Sequence, residues 1–172
     1  MDLIRNYPEF EQDITDAFKD VISKFKFKLT EIDKGLWELN NGKITIMFSF
    51  DRGDIFCFIR KLDDIRNRTY LLMSVYRFLY KNDTLDISWK EAKVQLKNLA
   101  IIADTKLNEV LLGDFSWVDS FEKEQNKLSK KIQYVSNKMD KNHPIYIKFE
   151  DDDSSWFDDL EKYITENNIE LN

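Results

Sequence analysis

Apolar residues near the start of the chain recur every three or four positions. This spacing places them along one side of a helix, as in an amphipathic helix packed on a core. Pro8 suits the first turn of a helix, and the acidic residues around it suit the positive end of the helix dipole. The pattern predicts an N-terminal helix over residues 8–24. The apolar stripe comprises Phe10, Ile14, Ala17, Phe18, Val21, Ile22 and Phe25.

From residue 25 onward the apolar spacing changes to two. Ile44, Ile46 and Phe48 alternate with other side chains, which is typical of a strand with one buried face. Turn residues such as Asn40-Asn41-Gly42 separate the apolar runs, and Asn and Gly tolerate the positive φ of a tight hairpin. We expect four strands in an antiparallel meander that ends at Lys61, with one face packed on the first helix.

Helical spacing returns in the second half of the chain. Ser88 and Glu91 match a capping box at a helix start, and Gly113 suits the position just after a helix end. Residues 145–149 alternate in character and predict one short strand. The predicted helices span residues 65–81, 88–112, 117–138 and 156–167.

These elements define an α+β fold class. It has an N-terminal helix, a four-stranded antiparallel meander, and a helical C-terminal half with one short strand. A length of 172 residues is typical of one domain. We expect a single domain over residues 1–172, with the helix and sheet in 1–62 and the mainly helical part, with its acidic end, in 63–172.

Composition excludes several kinds of chemistry. One His and one Cys cannot form a multi-histidine zinc site, an intrachain disulfide or a CxxC pair. The four glycines form no phosphate-binding loop. Acidic residues lack the spacing of a calcium-binding loop. We therefore expect no catalytic residues, no metal and no cofactor.

The start of the chain lacks the apolar stretch of a signal peptide, and no run approaches the ~18 apolar residues of a membrane span. Cys57 is the lone cysteine, which fits a reducing compartment. We expect a cytoplasmic protein that does not bind membranes, with Cys57 as a buried structural thiol.

Nucleic-acid binding is a further possibility that the alternation argues against. Lys24, Lys26 and Lys28 interleave with phenylalanines, and aromatic-basic strand faces do bind single strands. However, a period of two places the lysines on the face opposite the rings. We expect the rings in the core, the lysines in water and no nucleic-acid partner.

Negative charge is concentrated at the end of the chain. Residues 150–172 hold nine acidic residues against Lys162, whereas the whole chain has a net charge of −6. Such a segment attracts cationic partners. It is also what a solvated helix with an acidic first turn would look like, and both interpretations stay open. The candidate partner-binding residues are Glu150, Asp151, Asp152, Asp153, Trp156, Phe157, Asp158 and Asp159.

The segment from Phe27 to Lys61 has a distinctive layout. An amphipathic helix leads into GLWELNNGKITIMFSFDRGDIFCFIRK, whose strands are joined by an Asn-rich turn and an acidic-Arg-Gly turn. This layout resembles small bacterial immunity proteins that neutralise polymorphic or contact-dependent toxins. The resemblance implies a cytoplasmic, non-enzymatic protein that binds one toxin domain tightly.

We therefore expect a non-enzymatic protein-binding module, an immunity-type inhibitor of a cognate and basic toxin domain. One alternative is a small hydrolase with a carboxylate site. Another is an assembly component of a phage or large complex that uses the helix around 117–139 for self-association. The sequence leaves the choice between monomer and dimer open.

Overall fold

The computed structural model describes residues 7–81, 83 and 91–171. It has an α+β fold with an antiparallel sheet, as expected. The chain divides into two compact units, residues 1–117 and 118–172, whereas the expected sub-parts met between residues 62 and 63. The expectation of one domain over residues 1–172 stays a prediction.

The first unit begins with two consecutive helices instead of the one expected. They are α1, Phe10–Ala17, and α2, Lys19–Phe25. Phe18 separates them with φ −94° and ψ 11°, and its ring packs edge-on to Phe48 at a centroid distance of 4.8 Å. The apolar stripe therefore continues across the break and faces the sheet.

Five strands follow in a meander, each antiparallel to the next in chain order. The Asn-rich turn forms as expected, because the Asn41 carboxamide oxygen accepts hydrogen bonds from the N–H groups of Lys43 and Ile44, and Gly42 has φ +85°. The strands are β1, Lys28–Asp33; β2, Leu36–Asn40; β3, Ile44–Asp51; β4, Asp54–Lys61; and β5, Thr69–Leu71.

The fifth strand lies inside the helix predicted over 65–81. Thr69–Leu71 pairs with Phe58–Arg60 of β4, and helix α3, Leu72–Leu79, begins directly afterwards. The predicted start of this helix is therefore wrong. Asp64 holds the preceding loop in place, since its carboxylate accepts hydrogen bonds from the Arg68 side chain and backbone N–H.

One face of the sheet forms the core of the first unit. Leu39, Ile46, Phe48, Cys57 and Ile59 are buried there, and neighbours across the strands come from the same face. Burial raises the pKa of the Cys57 thiol, as apolar surroundings do for any thiol. Cys57 is thus a buried structural thiol, as expected.

Two helices complete the first unit. They are α4, Ala92–Thr105, and α5, Asn108–Leu112, in place of one helix over 88–112. Gly113 ends α5 with φ +107°, as its position predicted. The Ser88 part of the expected capping box lies outside the described residues.

The second unit contains three helices: α6, Val118–Lys138; α7, Pro144–Glu150; and α8, Trp156–Glu166. The strand predicted over 145–149 is wrong, because these residues form α7. Pro144 occupies its first turn, and the His143 Nδ1 atom accepts a hydrogen bond from the Ile145 N–H at 3.2 Å. These features start a helix and override the alternating pattern.

The core of the second unit is small. Val135 of α6, Ile145 of α7 and Leu160 of α8 are buried together. Partly buried aromatic side chains surround them, including Tyr146, Phe149 and Trp156. In the described part of the chain no helix is both long and apolar enough to cross a bilayer.

Candidate protein-binding site

The eight candidate residues lie on one helix–turn–helix of the second unit. Glu150 ends α7, residues 151–155 form the turn, and Trp156 begins α8. Asp152 turns the chain with a left-handed φ of +60°. The structure therefore brings these residues together on consecutive elements. Five are exposed and three are partly buried: Glu150, Asp151, Asp152, Asp153 and Asp158 are exposed, and Trp156, Phe157 and Asp159 are partly buried.

Two of these carboxylates have partners that shape the turn itself. The Asp153 Oδ1 atom accepts a hydrogen bond from the Ser155 N–H at 3.0 Å, and this bond lowers the pKa of Asp153. The Asp159 Oδ2 atom lies 2.5 Å from Lys148 Nζ, and the hydrogen bond raises the pKa of that lysine. These two carboxylates stabilise the local fold.

Three other carboxylates point into solvent. Among residues 7–81, 83 and 91–171, no side chain forms a hydrogen bond or ion pair with Asp151, Asp152 or Asp158. Exposed charges that no neighbouring cation neutralises contribute to the negative potential at the surface. These three residues are the part of the acidic segment available to a partner.

The two aromatic residues at the start of α8 differ in their surroundings. Trp156 packs on the small core, with its ring edge-on to Phe149 at 5.2 Å. Phe157 lies beside Trp156 at a centroid distance of 5.6 Å. The ring of Phe157 faces Lys131 of α6, whose Nζ atom is 3.8 Å from the ring centroid. A cation at this distance is attracted to the ring face.

Lys131 was not expected in this site. The apolar residues Phe121, Leu128, Ile132, Val135 and Met139 recur at helical spacing along this part of the chain, which is typical of a buried stripe. Ile132 is instead 38% exposed, and Lys131 is 2% exposed. The burial of Lys131 could have been predicted from its spacing. Lys131 follows Leu128 by three residues and precedes Val135 by four, so a helix places all three on one side.

The buried ammonium of Lys131 is compensated by Glu161. The two side chains form an ion pair, and the hydrogen bond from Lys131 lowers the pKa of Glu161. Glu161 lies one helical turn after Phe157. Because a buried cation needs close partners, Lys131 holds the side chains of Phe157 and Glu161 in place on α8.

An open groove runs along α6 next to Phe157. Its cavity volume is about 1130 Å³, above the ~300–1,000 Å³ of sites for small ligands. Its walls carry charges of both signs, with apolar patches between them. Its lining includes Lys123, Lys127, Leu128, Phe157, Glu161 and Leu171. Phe157 thus belongs both to this groove and to the acidic segment.

A separate cluster of ionisable side chains lies in the first unit. Asp13 is buried and accepts hydrogen bonds from Lys93 Nζ at 2.6 Å and from Tyr7 Oη at 2.5 Å. The bond from Lys93 lowers the pKa of Asp13, while that of Lys93 is raised. Burial raises the pKa of Tyr7. A general acid or base needs a pKa near the working pH, so this arrangement favours a fixed ion pair between α1 and α4.

Metal-ligating side chains do not converge in the described part of the chain, where no group of three or more His, Cys, Asp or Glu residues could hold an ion. The sequence matches no protein-family model, no curated protein and no solved structure. The interpretation of the site therefore depends on its geometry and charge.

Proposed function

We propose that this protein is a non-enzymatic binding module that holds a basic partner protein on the α7–α8 turn and the adjoining groove. The observation that carries the proposal is that Phe157 lines the groove along α6 and is followed in α8 by the exposed Asp158, on the same α7–α8 hairpin as the exposed Asp151 and Asp152. The proposed partner is a cognate, basic bacterial toxin domain, which the chain neutralises in the manner of an immunity protein. The proposed place of action is the cytoplasm.

Charge and apolar contact have separate roles in such a complex. Exposed carboxylates steer a basic protein toward the site and raise the association rate, particularly at low salt. An aromatic side chain near the centre of an interface supplies more of the binding free energy. Phe157 is suited to this second role, because it lines the groove and the Lys131 ammonium, paired with Glu161, packs on its ring.

The test starts from the basic protein that co-purifies with the tagged chain from its native cells. We expect the triple variant Asp151→Asn, Asp152→Asn and Asp158→Asn to lower the association rate constant about tenfold at low ionic strength. The three positions avoid Asp153 and Asp159, so the fold of the turn is kept.

A matched control removes the same charge elsewhere. Asp20, Asp51 and Glu109 are exposed and lie in the first unit. Their triple amide variant keeps Asp151, Asp152 and Asp158 and is expected to change the association rate less than about twofold. Equal losses in both triple variants would mean that only the net charge matters and would contradict the proposed site.

A further inference from the structure

A second, smaller pocket lies in the first unit, where α1 begins above the ends of β1, β2 and β3. Its cavity volume is about 200 Å³. Four aromatic rings line it, together with two carboxylates: Tyr7, Phe10, Trp37 and Phe50 supply the rings, and Glu11 and Glu31 the carboxylates.

The sheet fixes one wall of this pocket. Trp37 of β2 lies directly opposite Glu31 of β1 and Phe48 of β3, so all three side chains share one face. Phe50 follows Phe48 by two residues and lies on that same face. The wall is therefore built from paired strands and does not depend on a loop.

The start of α1 supplies the facing wall. The Tyr7 ring lies 5.3 Å from Phe10 and 5.1 Å from Phe50 between centroids, and Phe10 lies 6.2 Å from Phe50. These rings contact one another at the distances of ordinary aromatic pairs. The mutual packing holds each ring in place beside the cavity.

The charge of the lining is net negative. The Glu31 Oε1 atom accepts a hydrogen bond from the Gly35 N–H at 3.1 Å, which orients that carboxylate. Glu11 adds a second negative charge, and among the described residues Lys34 is the one basic residue of the lining. An anionic ligand would face two carboxylates, whereas a cation would gain from both.

We propose that this pocket binds an alkylammonium headgroup. Aromatic faces attract a cation, and cages of several rings are the general means by which proteins recognise quaternary ammonium groups. The volume lies below the ~300–1,000 Å³ of pockets for drug-sized ligands, so it suits a headgroup and not a whole cofactor. The lining shares no residue with the acidic segment, and the inference does not depend on the proposed function.

The headgroup has two chemical sources, a free quaternary ammonium compound or a lysine side chain of a protein. Calorimetry on the full chain with choline and with a short peptide that contains trimethyl-lysine distinguishes them. Tighter binding of the peptide assigns the pocket to a protein side chain, and tighter binding of choline assigns it to a small molecule. If neither probe binds, the proposal is overturned.

The contribution of charge is tested with 3,3-dimethyl-1-butanol, which has the shape of choline but no charge. We expect its affinity to be at least about tenfold lower than that of choline. Equal affinity would show that the pocket is only an apolar cavity and would overturn the proposal.

Variants separate the rings from the carboxylates. We expect Trp37→Leu and Glu31→Gln each to weaken choline binding at least about fivefold, whereas Trp37→Phe keeps a ring and most of the affinity. Glu109→Gln, an exposed acid outside the pocket, is the matched control and leaves binding unchanged. Thermal unfolding of each variant confirms that it is folded, and unchanged binding by folded Glu31→Gln and Trp37→Leu proteins would contradict the assignment.

Discussion

Lys131 carries its ammonium 3.8 Å from the centre of the Phe157 ring, although its side chain is almost fully withdrawn from water. Removing a cation from water has a cost that only close partners offset. Phe157 offers a ring face and Glu161 a carboxylate. This relationship joins the stability of the second unit to the residue that we propose as its main binding contact.

The two partners of this ion pair are expected to respond differently to substitution. Lys131→Met keeps the length of the side chain and removes the buried charge, so stability should be unchanged or higher. Glu161→Gln leaves the buried ammonium without its carboxylate and should lower the free energy of unfolding by about 1–3 kcal/mol. The loss is smaller than for a fully buried pair, because Glu161 itself is half exposed. Urea unfolding of both variants measures the difference, and an equal loss in the two would contradict this account.

Gln95 is expected to be important for the β3–β4 hairpin. It is buried on α4, where its Oε1 atom accepts a hydrogen bond from the Ile55 N–H and its Nε2 atom donates one to the Gly53 carbonyl. Gln95→Leu leaves both backbone groups without these bonds, so we expect a loss of about 1–3 kcal/mol in chemical unfolding.

The control for this substitution is Gln12→Leu. Gln12 is exposed on α1 and donates to Asp16 at 2.8 Å, so its loss should change stability by no more than about 0.5 kcal/mol. Similar losses of stability in the two variants would contradict a special role of Gln95 in holding the β3–β4 hairpin.

Asp13 should contribute to the pH dependence of stability. The hydrogen bond from Lys93 lowers its pKa below the ordinary value of 3.8, so the unfolded chain takes up this proton first as pH falls. The contribution is therefore complete above the unfolded pKa and is lost as pH falls through the lower folded value. Asp13→Asn should be clearly destabilising at pH 7 and much less so near pH 3.

Unfolding at several pH values measures this effect, with Asp16→Asn as the control on the same helix. Asp16 is exposed, and its variant should differ from the parent by a small and nearly constant amount. A stability gap for Asp13→Asn that stays constant down to pH 3 would be inconsistent with the shifted pKa.

Cys57 should be unreactive in the folded protein. It lies in β4, fully buried, and burial raises the pKa of its thiol, so little of the reactive thiolate is present. Alkylation at pH 8 should be very slow in buffer and fast in concentrated urea. Rapid labelling in buffer would show that this part of the sheet opens readily.

Much of the fold could be predicted from local patterns. The Asn40–Gly42 turn and the end of α5 at Gly113 depend on backbone conformations that few residues adopt, so their positions are readable from the sequence. The short strand Thr69–Leu71 was missed because three residues are too few to establish a period, and its pairing with β4 is a contact across the sheet.

Helix α7 shows the limit of alternation as a signal. Its sequence, Ile-Tyr-Ile-Lys-Phe after Pro144, has β-branched and aromatic residues typical of a strand. Helix is favoured over strand here by the residues that start α7 and by the packing of Ile145 against Val135 and Leu160. A local sequence pattern does not show packing partners from other helices.

The candidate site was predicted in part. The acidic residues 150–159 were identified from charge alone, and the structure places them at the end of α7, in the turn and at the start of α8. The sequence could not show that Asp153 and Asp159 bind their own neighbours. Nor could it show that Lys131 lies beside Phe157, because that contact joins residues 26 positions apart on two helices.

Backbone hydrogen exchange of the chain, free and bound to its co-purified basic partner, tests the proposed binding site most directly. Exchange at buried contacts slows when a partner covers them. We predict that slowing is greatest over residues 150–161 and along the groove side of α6, and that Phe157→Ala weakens the complex by at least about tenfold. Protection confined to the first unit, with full affinity in the Phe157→Ala variant, would contradict the proposed function.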